Sequence, residues 1–302
     1  MKSKSFLSSL RRRARWARTE QSTLDARLDH ERMTHLVAEV RFGDPVLAAA
    51  LYTVAFCRQM AVPSIAAVVH RNGHGPMIKD GRKRNDDTLV FFGEFMKNGY
   101  SSERGKAAIA RLNEIHAPFP ITNDQSLYTL ASLSFEADRI PSELGITLLT
   151  DDEKLANQLF WHGVGVAMGL HDIPGYYDDF WQWMLRYERD NWAHSAGGEA
   201  VARAVLDDFA ARWLTRHLKP LGFKAATVLC GDELLDVLHI ERPSAAVRQA
   251  VKFALRAYAL ARRLLPDSKD RSWADHFGAS YGPCPHLSRV GYKPRTANPS
   301  VS

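Results

Sequence analysis

Signals that start and stop helices recur along the whole of this chain, whereas the alternating patterns and hairpin dipeptides that mark strands are nearly absent. That asymmetry predicts an all-α fold. Residues 20–41 read as a charged helix ending at Gly43, after which Asp44-Pro45 supplies a cap and a first-turn proline for the apolar run "VLAAALYTVAFCRQM". Pro63 opens a further short helix, and the glycine-, proline- and base-rich residues 71–85, "RNGHGPMIKDGRKRN", read as a loop. Helices are expected over 86–98, 102–116 and 123–139, with Asn85 or Asp86, Ser102 and Asn123 as caps and Gly99 as a stop. Thr150 and Glu153 form a capping box ahead of "KLANQLFWHGVGVAMGL", and Asp172-Ile-Pro174 breaks that helix before the aromatic "GYYDDFWQWMLRYERDNW". Helices over 197–218, 221–239 and 243–265 complete a single multi-helix domain.

The formal net charge of +6 suggests a nucleic-acid partner until it is mapped. Lys2, Lys4, Arg11, Arg12, Arg13, Arg15 and Arg18 face one acid, Glu20, within the first twenty residues, so this segment carries the whole excess and no nucleic-acid reader is expected. The chain divides into a basic, disordered arm (1–19), an all-α catalytic domain (20–266) and an irregular tail (267–302). The arm is a candidate for peripheral contact with an anionic lipid surface. "FLSSL" is too short for a secretory signal core, no stretch has the apolar length of a membrane span, and Cys57, Cys230 and Cys284 form no CxxC pair. A soluble cytoplasmic protein is the expectation; its oligomeric state is left open.

Two stretches stand out for chemistry. In the helix that begins after Ser101-Ser102 and runs into "RLNEIHAPFP", Ala108, Ile109, Leu112, Ile115 and His116 fall on or beside one face, which turns His116 inward. A buried imidazole needs a partner, whether carbonyl, carboxylate or metal, and from this helix alone a hydrogen-bonded structural histidine is the simpler reading. In "GRKRNDDTLVFFGEF", Arg84, Asp86, Asp87 and Thr88 gather at the mouth of an apolar helix, where a cap and a surface ion pair are the plain reading. Arg84 and Thr88, four apart, share a face if the helix starts early enough, and that face would line a cavity. Rival signals are thin. His70 and His74 sit among glycines, and His171-Asp172 is a two-residue echo of all-α metal phosphohydrolases. No P-loop, GxGxxG or HExxH occurs.

Taken in order, "AVPSIAAVV", "KRNDDTLVFF", "RLNEIHAPFPITNDQSLYTLASL", "LLTDDEKLANQLFWHGVGVAMGLHDIP" and "DELLDVLHIERP" resemble the haem-dependent oxygenases that include fungal MpaB and latex clearing protein, and are closer to the fungal branch. The resemblance spans about residues 61 to 243. It implies an all-α, globin-reminiscent domain enclosing haem b between helices, with an Arg-x-x-x-Thr pair, here Arg84 and Thr88, ahead of the proximal iron ligand, here His116. By position, Arg84 would meet a haem propionate or an oxygen species, Thr88 would shape the distal side and Asp87 would transfer protons, with Phe91, Phe92 and Trp161 as cavity walls. The match also breaks down. Latex-cleaving members carry lysine where this chain has Asp87, and their catalytic glutamate falls near Val68, so polyisoprene is not the expected substrate.

The resulting expectation is a haem b, iron-dependent oxygenase or dioxygenase acting with O2 on an apolar, isoprenoid or lipid-like substrate, by oxidative cleavage of a C=C bond. The glycine- and aromatic-rich helices near 88–96, 159–170 and 176–187 would wall its cavity. Two alternatives remain: a metal-dependent phosphohydrolase using His171 and Asp172, and a non-catalytic haem or lipid carrier.

Overall fold

Asp44 opens its helix as the sequence prescribes. Its carboxylate accepts from the Val46 and Leu47 amides at 2.8 and 3.3 Å, and Pro45 takes a first-turn place where no amide donor is required. The computed structural model describes residues 15–267, 272–282 and 286–291. Every regular element among them is helical: α1 (Trp16–Gln21), α2 (His30–His35) continued by a π-helical turn (Leu36–Arg41), α3 (Pro45–Met60), α4 (Pro63–His70), α5 (Pro76–Lys79), α6 (Gly81–Asn98), α7 (Glu103–His116), α8 (Asn123–Glu143), α9 (Asp151–Ala167), α10 (Tyr177–Asn191), α11 (Ala196–Trp213), α12 (Lys219–Cys230), α13 (Asp232–Val237), α14 (Ala245–Leu264) and α15 (Trp273–Gly278). The expected all-α class is observed. The basic arm lies outside the described residues up to residue 14, as do 268–271, 283–285 and 292–302 of the tail.

α3 runs through the core, buried almost continuously from Ala49 to Met60, and packs on α8, α11 and α12. Its charges are matched inside. Arg58, 2% exposed, meets Glu136 of α8 at 2.5 Å, and Arg139 of α8 donates to both oxygens of Glu188 of α10 at 2.7 and 2.9 Å. A register slip among these three helices would strand a buried charge, which costs several kcal/mol.

Several boundaries differ from the sequence expectation. The supposed loop 71–85 holds α5 and the first turn of α6, because the Asp80 carboxylate caps that helix by accepting from the Lys83 amide at 3.2 Å. The 20–41 helix is broken into α1 and α2, and 221–239 divides at Gly231, whose φ of 77° a helix cannot use. The tail is not wholly irregular: α15 packs on α6 so closely that a Cβ on Gly93 would lie 2.4 Å from that of Ala274. The α9 glycines likewise serve close approach rather than leaving a void, since a Cβ on Gly163 would run into the Tyr100 ring and one on Gly165 into Leu130 and Ile173.

Candidate functional site

Packing of α6 against α7, with α3, α8 and α9 around them, encloses a cavity of about 360 Å3, within the range of small-molecule sites. Phe91, Phe92, Phe95, Leu112, Leu130 and Trp161 supply much of its wall. His116, Arg84, Asp87 and Thr88 all line it, so residues chosen from two separate stretches of sequence meet in one place.

His116 arrives there because Ser102 starts α7, accepting from the Gly105 amide at 3.0 Å, and the helix ends with His116 in its last turn. It is the one imidazole on the cavity, and no described residue hydrogen-bonds its ring. Burial, reinforced by the charge of Arg84, pushes its pKa down to about 4. The ring is therefore neutral at neutral pH, with a lone pair to offer.

The early start of α6 puts Arg84 and Thr88 on one face. The Arg84 guanidinium donates to Thr88 Oγ1, whose own hydroxyl donates back to the Arg84 carbonyl at 3.0 Å. No described carboxylate pairs with Arg84, which leaves an uncompensated cation on a largely apolar cavity. Asp87 is held differently. Its two oxygens accept from Lys83 Nζ at 3.0 and 2.9 Å, and the Tyr281 hydroxyl donates to Oδ1. Asp86 turns away and pairs with Arg212 of α11 at 2.6 Å, and Asn85 bridges Tyr52 and Asp208 at 2.7 Å each. One side of the first turns of α6 thus serves the cavity while the other clamps it to α11.

Sequence reading missed Lys83 and Tyr281. The i,i+4 spacing of Lys83 and Asp87 was visible, but Tyr281 comes from the tail and carries no local signal. It also missed Arg71, which lies over the Phe119 ring at 4.4 Å on the same cavity.

Phe92 and Trp161, edge to face at 5.7 Å, lie on the boundary with a second, smaller cavity of about 160 Å3 lined by residues such as Leu51, Ile140, Leu148, Leu229 and Leu255. The buried Trp161 Nε1 has no hydrogen-bond partner.

The other candidates lie elsewhere. The aromatic run of α10, expected as cavity wall, lines neither cavity; Tyr177, Phe180 and Trp181 pack edge-on around Phe135 as core. His171 and Asp172 pair with each other at 2.9 Å in the open, their side chains 70% and 88% exposed. Among the described residues, His194, Glu199 and His239 form the one group of three that approaches metal-ligand spacing. The two imidazoles are stacked 8° from parallel with centroids 3.6 Å apart, so their in-plane lone pairs do not converge on one ion.

Residues 40–264 match the family of the ER-bound oxygenase mpaB/B′/rubber oxygenase catalytic domain. This chain belongs to that family. The matched stretch includes His116, Arg84, Asp87, Thr88 and the whole lining of the larger cavity except Gly291, whereas Tyr281 falls outside it. Among MpaB relatives, ER-bound oxygenase mpaB′ of Penicillium brevicompactum is 26% identical over 208 residues, covering 63% of this chain and 48% of its own length. ER-bound oxygenase mpaB of the same organism is 28% identical over 120 residues, covering 38% of this chain and 31% of its own. This chain thus spans half or less of the length of these curated relatives. Latex clearing protein in its closed state shares the fold, with a TM-score of 0.62 at 17% identity, over 80% of this chain and 68% of that one. MpaB relatives are named ER-bound, whereas no single helix among the described residues here is long and apolar enough to cross a membrane.

Proposed function

We propose that this chain is a haem b-dependent oxygenase that uses dioxygen on an apolar, isoprenoid or lipid-like substrate, by oxidative cleavage of a C=C bond. The observation that carries the reading is the pairing, on one largely apolar cavity, of a neutral imidazole without a partner and a guanidinium without a counter-ion.

Haem b calls for a neutral axial donor, cations for its propionates and apolar contact for its ring. The residues present fit: His116 would be the proximal ligand, Arg84 would pair with a propionate, and the Phe and Leu side chains would receive the macrocycle. When bound, the haem supplies iron redox chemistry with dioxygen. Everything else falls to the protein. Thr88 fixes the direction of the Arg84 guanidinium. Asp87, with Lys83 and Tyr281, holds a proton at the Tyr281 Oη–Asp87 Oδ1 contact beside the cavity. The aromatic wall excludes water and binds an apolar chain through buried area, roughly 25 cal/mol per Å2. Trp161 Nε1 offers a lone donor to any polar group that chain carries.

Polyisoprene is not the proposed substrate, because Asp87 stands where latex-cleaving members are expected to carry lysine. The buried free thiols of Cys57 and Cys230 accord with a reducing compartment, and the cytoplasm is the proposed location. Residues 20–266 are the proposed catalytic unit, completed by the α15 segment.

Protein produced with ample haem should show a Soret band that His116→Ala removes while helical content stays the same. A haem-replete preparation without that band, or a variant with an unaltered one, would refute the reading. Oxygen uptake yielding carbonyl products from unsaturated isoprenoids or fatty chains separates the oxygenase from a carrier, which would bind them unchanged.

A further inference from the structure

α14 (Ala245–Leu264) has no buried residue, although it leans on the core through Val247, Val251, Leu255 and Ala259. It carries five cations, Arg248, Lys252, Arg256, Arg262 and Arg263, and no acid. Some of them anchor the helix: Arg248 pairs with Asp232 at 2.6 Å, and Arg262 donates to the Arg41 and Val40 carbonyls at 2.5 and 3.2 Å. The outward face, where a solvated helix usually carries its charges, is apolar instead. Phe253 is 74% exposed, Leu260 58% and Leu264 66%, with Ala250, Ala254 and Ala257 also exposed.

The C-terminal end of this helix meets Ala17 and Arg18 of α1. The Ala17 amide donates to Asp267 Oδ2 at 3.0 Å, and Arg18 lies near enough to Arg262 and Arg263 to feel their like charge. In sequence, the residues before it add the charges of Lys2, Lys4, Arg11, Arg12, Arg13 and Arg15. Such an accumulation opposes a second copy, since two α14 helices face to face would bring ten cations together with no acid on either helix. It favours an anionic surface, and an apolar stripe with basic flanks is the composition of a helix that lies in a membrane interface.

We propose that α14 docks on an anionic bilayer, seating Phe253, Leu260 and Leu264 among the headgroups with Arg256 and Arg263 alongside. Leu255, on the inner face, lines the smaller apolar cavity, so that chamber lies beneath the docked helix.

The test is sedimentation of the full-length protein with phosphatidylcholine vesicles, with and without phosphatidylserine. Binding should require phosphatidylserine and weaken with salt. The triple variant Phe253→Ser, Leu260→Ser, Leu264→Ser should bind at least tenfold more weakly with unchanged circular dichroism. So should Arg256→Gln with Arg263→Gln, since each cation near such a surface is worth roughly fivefold. No binding to either vesicle, equal binding to both, or binding through the arm that neither variant weakens would overturn the proposal. A dimer in solution that the serine variant dissociates would also overturn it, giving the face to a second copy.

Discussion

The Arg84 guanidinium and the His116 imidazole reach one cavity from two different helices, and no described carboxylate pairs with either. Burial is the larger reason that His116 stays neutral, and the Arg84 charge is the second. The pair therefore presents an electron-pair donor beside a positive charge, which suits a ligand that is both a Lewis acid and an anion.

The first prediction is a pH dependence. With a folded-state pKa of about 4 against the usual 6.5, the unfolded chain takes up the His116 proton first as pH falls. Stability is then complete above about pH 6.5 and is lost as pH falls toward 4, by at most about 3 kcal/mol, at about 1.4 kcal/mol per pH unit. Urea unfolding of cofactor-free protein at pH 7 and pH 5 should show this loss, and His116→Phe should remove about 2 kcal/mol of the difference. The same slope in both proteins would mean that the ring protonates freely in the fold.

Arg84→Ala should leave the protein folded and lower haem affinity at least tenfold, because a charge-assisted hydrogen bond contributes about 1.5–3 kcal/mol. Arg84→Lys should recover part of it, a point charge replacing a fork. Haemin titration followed at the Soret band measures both. Wild-type affinity in Arg84→Ala would show the guanidinium to be a bystander.

Phe92 stands between the two cavities, so Phe92→Ala should join them. We expect a loss of about 2–3 kcal/mol in stability, below the full cost of a fully buried ring. Affinity should shift in favour of longer apolar chains, read by thermal shift across fatty acids of increasing length. An unchanged length preference would show that the two chambers do not communicate there.

Glu39 should behave in the opposite sense to His116. It lies 3% exposed, burial raises its pKa to about 7, and its buried Oε1 has no hydrogen-bond partner. The folded state therefore prefers the protonated acid, and stability present below about pH 4.5 is lost as pH rises through 7. Glu39→Gln should raise Tm by about 5 °C at pH 8 and change it little at pH 5. A lower Tm at pH 8 would mean that the Ser272 and Ala274 hydrogen bonds and the Lys97 charge outweigh burial.

Helix positions were legible wherever a side chain closed its own cap. Thr150 accepts from the Glu153 amide and Glu153 returns the bond, as the capping box demands. The start of α6 was misread because three acids lie within a few residues of it: Asp80 caps the helix and Asp87 meets Lys83 one turn back, while Asp86 is drawn off by Arg212 of α11, which sequence does not place. His116 could be pointed inward by periodicity, but its lack of a partner could not be read, since that depends on what α6, α8 and α9 leave beside it. The α10 aromatics misled because a dense ring cluster looks the same in sequence whether it packs on Phe135 or walls a cavity. Nothing local marked Tyr281, which reaches Asp87 across most of the chain.

That last contact changes what the C-terminal segment is for. The Tyr281 hydroxyl binds Asp87 from beyond the family's matched stretch, which ends at residue 264. Proteins built on the same helical chassis can thus be retuned by editing an appendage: a different side chain at 281 would alter how firmly a carboxylate on α6 is restrained without disturbing any of the helices that form the chamber. The tail then acts as an adjustable fitting, a place where lineages could diversify chemistry while leaving the inherited frame untouched.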